Sequence, residues 1–86
     1  MSKITNTNVL ELSGKNYQSN CTIFAYDQGV LVGTLNICFD GGDDFTTDEN
    51  IAGIKETILS KFENADRESL DKVLSSIRIC IDAISK

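Results

Sequence analysis

The sequence predicts an α+β fold: a three-stranded antiparallel β-meander with a two-helix hairpin packed on one face, in the order βββαα. Three observations point there. Residues 17–39 are dense in aromatic and β-branched side chains on either side of Asp27-Gln28-Gly29. Asp40-Gly41-Gly42-Asp43-Asp44 then breaks the pattern. Beyond it, apolar residues recur every three or four positions, the helical period. At 86 residues the chain reads as a single domain over residues 1–86, near the lower size limit for one core.

Residues 1–7 are rich in Asn and Thr and read as loosely held. A first strand is predicted from about Thr5 to Leu12, turning through Ser13-Gly14-Lys15-Asn16. Pairing Leu12 with Tyr17 puts Leu12, Leu10 and Ile4 on the core face. It also puts Asn6 and Asn8 there, which conflicts with an apolar interior: either they sit at an open edge or the register fails in that half.

The second and third strands are predicted as Tyr17–Tyr26 and Val30–Phe39. Gly29 can take the left-handed backbone that a three-residue loop needs at its last position, which sets Tyr26 opposite Val30. One face then carries Ala25, Leu31, Ile23, Gly33, Cys21, Leu35, Ser19, Ile37, Tyr17 and Phe39. It is the more continuously apolar and is assigned to the core. The other face gathers Phe24, Tyr26, Val30 and Val32 at the hairpin tip and is otherwise polar. A one-residue slip would exchange the two faces.

Thr46-Thr47-Asp48-Glu49 has capping-box spacing, with Thr46 as N-cap, and its acids suit the positive end of a helix dipole. The first helix is predicted to run to about Phe62, with Ile51, Ile54, Ile58, Leu59 and Phe62 on one side. Gly53 within it would let the helix approach the sheet closely. Asp66 is placed to cap a second helix, whose stripe is Leu70, Val73, Leu74, Ile77, Cys80, Ile81 and Ile84. Ile79 leaves that stripe, alongside Ser75, Ser76 and Ala83, and with Ser75 and Ala83 it forms a second candidate surface for self-association.

Composition narrows the function. A net charge of −5, with eight Lys/Arg scattered along the chain, argues against direct nucleic-acid binding and toward a basic protein partner. No apolar run approaches the roughly 20 residues of a membrane span, and no signal peptide is visible, so a cytoplasmic chain without membrane contact is expected. Three cysteines at unrelated spacings form neither a disulfide framework nor a zinc motif. There is no His, and no carboxylate or lysine constellation replaces it, so catalysis is not expected and no cofactor is implied.

Two groups of residues are candidates for partner binding. The first is acidic: Asp40, Asp43, Asp44, Asp48 and Glu49. It admits three readings, a solvated turn before an acidic helix start, a surface for a basic partner, or a hard-cation site. The EF-hand pattern fails, because the twelfth position counted from Asp40 or Asp43 is Ile51 or Ile54, and no metal ligand set is assigned. Gly41-Gly42 is no phosphate cradle either, given its acidic neighbours. The second group is the tip patch of Phe24, Tyr26, Val30 and Val32, on the face that two helices leave open.

The bare hairpin from Asn16-Tyr17 through Phe39, the acidic Asp40–Glu49 run and two short amphipathic helices without catalytic groups together resemble small phage-encoded inhibitors of bacterial defence, the anti-CRISPR proteins among them. The resemblance is one of build, and no residue carries over by motif. It implies a non-enzymatic inhibitor that occludes a basic, nucleic-acid-handling surface of a nuclease complex, such as a CRISPR effector, in the bacterial host cytoplasm. Bacterial immunity proteins and antitoxins share this profile. A small homodimeric structural subunit is the reading from a different class.

Overall fold

The computed structural model describes residues 2–40 and 46–84, with Ser13 and Asn16 by backbone only. Its elements are β1 (Lys3–Ser13), β2 (Asn16–Asp27), β3 (Val30–Asp40), α1 (Thr47–Lys61) and α2 (Arg67–Ile84). The strands form one antiparallel sheet in the order β1-β2-β3, and the predicted βββαα arrangement holds. Both helices lie on the same face. The core joins Ile4, Cys21, Ile23, Ala25 and Phe39 of the sheet to Ile54 and Ile58 of α1 and to six residues of α2.

Residues 2–7 are not loosely held. Ser2 bridges to Ala65 and exchanges backbone hydrogen bonds with the helix–helix connection, at Asn64 and Asp66, so β1 is anchored before it begins. Leu12 pairs with Tyr17 as predicted, and Gly14 (φ 63°) opens a two-residue turn of the type that wants glycine first.

The β2–β3 turn differs from expectation. Asp27 pairs with Val30, so the loop is Gln28-Gly29 alone, both left-handed at φ 51° and 79°. Such a type I′ turn matches the natural twist of a hairpin. Ladder pairing then skips Val32, a β-bulge, and beyond it Ala25 faces Gly33 and Ile23 faces Leu35. The pairing is two residues from the predicted one, and a shift of two preserves the faces. Ile23, Ala25, Cys21 and Ser19 are therefore inside as expected, and Cys38 is outside. Leu31 is corrected: it stands opposite Tyr26 on the outer face and is 50% exposed.

Thr46 caps α1, its hydroxyl accepting from the Glu49 amide at 3.2 Å. Asp66 caps α2 in the same way, from the Ser69 amide at 3.0 Å. The α2 stripe is buried throughout except Cys80, which is half-buried, and Ile79 is 71% exposed. Two expectations fail. Gly53 is exposed and a Cβ there would touch nothing, so it permits no close approach. The close approach belongs to Gly33, where an added Cβ would fall 2.8 Å from the Phe62 ring. Ser76 does not accompany Ile79 but turns inward to meet β1.

Candidate functional site

The strands are longer than the longer helix. Strands of 11–12 residues span roughly 36–40 Å, whereas the 18 residues of α2 span roughly 27 Å. The sheet's outer face has no cover among the described residues. Cross-strand pairing arranges that face in rows: Lys3, Tyr26 and Leu31; Thr5, Phe24 and Thr34; Thr7, Thr22 and Asn36; Val9, Asn20 and Cys38; Glu11, Gln18 and Asp40. One end is thus aromatic and aliphatic, the middle is Thr/Asn, and the other end is acidic. Tyr26 and Gln18 stand eight residues apart on β2, roughly 27 Å.

The predicted tip patch is rearranged by the bulge. Phe24 and Tyr26 share the outer face and are half-buried, and Leu31 takes the place across from Tyr26. Val30 and Val32 are exposed but do not complete that row. Val30 faces Asp27, while Val32 lines a hollow with Gly33 and Phe62 at the end of α1. A second hollow at the tip is lined by Lys3, Thr5, Tyr26, Gln28 and Gly29, so the aromatic row borders a concavity.

Of the acidic candidates, Asp43 and Asp44 lie outside the described residues. Asp40 closes the acidic end of the sheet, accepting from Gln18 Nε2 at 2.9 Å. Asp48 accepts from the Arg78 guanidinium, and this hydrogen bond is the main reason the Arg78 pKa is raised. Thr47 donates to Asp82 at 2.9 Å, tying the start of α1 to the end of α2. Asp48 is therefore already paired, and Glu49 is exposed beside it. Among the described residues no group of three or more metal-ligating side chains converges. The described acidic candidates and the aromatic ones sit at opposite ends of the molecule, not in one site.

Five residues that the predicted register placed on the core face form two clusters whose character the sequence did not show. Asn6 and Asn8, on the core face as the register required, both donate to Ser76 Oγ, at 3.3 and 3.2 Å, and Asn6 also reaches Asn8 and the Cys21 sulfur. Burial pushes the Cys21 thiol up, the Asn6 amide lowers it, and Cys80 adds a smaller upward push. At the far end of the same face Leu10, Leu12 and Tyr17, which the register assigned to the core, are instead 50%, 65% and 56% exposed among the described residues. No described helix is long and apolar enough to cross a membrane. No known family model matches the chain, and comparison with curated proteins and with solved structures finds no match.

Proposed function

We propose that the chain is a small, acidic, non-enzymatic protein-binding inhibitor, of the kind phages direct against bacterial nuclease complexes. In this reading it meets a basic protein partner with the open face of its sheet. The observation that carries it is the one-sided cover: both helices pack on one face, and the other presents Phe24, Tyr26 and Leu31 at one end and Glu11 and Asp40 at the other. Rigid aromatic anchors at an interface commonly contribute 2 kcal/mol or more, while peripheral acids set orientation and association rate. A net charge of −5 repels phosphate and favours a basic protein surface, including one that itself holds nucleic acid.

The test compares wild type with the double variant Phe24→Ser, Tyr26→Ser in capture of proteins from bacterial lysate at low and high salt, followed by inhibition of the captured nuclease. Wild type is expected to retain a basic, nucleic-acid-handling protein, less so as salt rises, and to inhibit it. The double variant should lose capture while keeping its melting temperature within a few degrees. Capture that ignores both the substitutions and salt would overturn the reading.

A further inference from the structure

We infer that β3 is the joint between two copies of this chain, paired edge to edge and antiparallel about a two-fold axis at Asn36, to give one six-stranded sheet. This does not depend on the outer-face reading above. β3 ends the sheet, and no described strand pairs with its outer edge. Open edges normally carry lysine, proline or other charge that discourages further pairing. β1 follows that rule with Lys3 and Glu11. β3 does not: from Val30 to Phe39 it has no charged residue and no proline. Its one irregularity, the bulge at Val32, leaves Gly33–Phe39 regular.

Charge chooses the occupant. Two copies at −5 repel each other over most approaches, and a ten-residue neutral strip is where that repulsion is least. A basic partner would find no carboxylate to grip along it. An antiparallel strand edge is moreover its own complement under two-fold symmetry, so one surface serves both copies. Centring the axis on Asn36 sets Leu35 against the second copy's Ile37 and Thr34 against its Cys38. The seven paired residues span roughly 23 Å, over half of the 42 Å long axis. With the axis normal to the sheet, both helical layers stay on one side. The half-exposed Leu35, Ile37 and Phe62 then border the joint and gain cover from the second copy.

Sedimentation across a concentration series tests this with wild type and the single variants Asn36→Glu and Asn36→Lys. Wild type should reach twice the 9.4 kDa chain mass, and its dissociation constant should fall as salt screens the two acidic copies. Each variant sets like charges face to face and should raise that constant about tenfold or more. Mixing the two variants in equal amounts should restore the dimer, since the charges then attract. Circular dichroism confirms that each variant is folded. A wild type that stays monomeric at every concentration, or Asn36 variants as dimeric as wild type, overturns the inference. So does a dimer that Ile79→Ser abolishes and the Asn36 variants leave alone. Salt separates the two readings, because it should strengthen this dimer and weaken the basic-partner complex.

Discussion

The two flanks of the molecule are built differently. On the β1–α2 flank, Ile4 is buried and its amide donates to Ser69 Oγ at 3.1 Å, Asn6 and Asn8 converge on Ser76, and α2 contributes six buried side chains. On the β3–α1 flank only Phe39 of the strand is buried, α1 contributes Ile54 and Ile58, and Phe62 rests on Gly33. Among the described residues no hydrogen bond joins α1 to β3. The first flank holds the fold through hydrogen bonds and packing together. In the second, α1 is hydrogen-bonded to α2 at its start but meets β3 by packing alone, and apolar surface is left at the margin proposed to meet a second copy.

The contrast can be broken most forcefully at Ile77, fully buried at the centre of α2. Ile77→Ala should cost about 2–5 kcal/mol in chemical denaturation, from lost transfer energy and the cavity left behind. Ile79→Ala, two residues on and exposed, should stay within about 0.5 kcal/mol. Equal losses at the two positions would mean that α2 is rotated from the orientation described.

Next in size is Ser76→Ala, which strips Asn6 and Asn8 of a shared acceptor and should cost about 1–3 kcal/mol. Ser75→Ala, at an exposed neighbouring position, serves as its control. If the two are alike, the polar lacing of the first flank contributes nothing and the comparison rests on packing alone.

The smallest effect is expected on the open flank. Gly33→Ala drives a methyl group into the Phe62 ring, yet Phe62 is half-exposed and can swing outward. A loss within about 1 kcal/mol is expected, below the range for overpacking a closed core. A larger loss would show that Phe62 is clamped and that this flank is as firmly closed as the other.

Much of the fold was legible because its signals were local. The helical stripe of α2, the two caps and the Leu12–Tyr17 pairing each depend on a few neighbouring residues. The β2–β3 turn was harder to read, because a type I′ turn needs Gln28 at positive φ, which non-glycine residues seldom adopt. The bulge that follows has no mark in sequence, and it moved Leu31 into the outer row and Val32 out of it. Asn6 and Asn8 could be placed on the core face but not explained, since their partner is 68–70 residues away. The candidate site was legible only as two lists of residues. That the aromatic and acidic sets stand at opposite ends follows from Asp40 and the Gln28-Gly29 turn closing opposite ends of β3.

The links from β1 to α2 also bear on the route by which the chain folds. Every strand precedes α2 in the chain, and the contacts that close the first flank span 65–70 residues. Contacts this remote in sequence slow folding, because a long loop must be closed before they form. As the chain is synthesised, the three-stranded sheet emerges well before the helix that covers Cys21, Ile23 and Ala25. During that interval both its inner face and the uncharged rim of β3 are open to neighbouring nascent chains. The same neutral strand that offers the finished protein a symmetrical joint is then its most exposed point for premature association, so slower elongation or crowded expression should favour aggregates that contain β3.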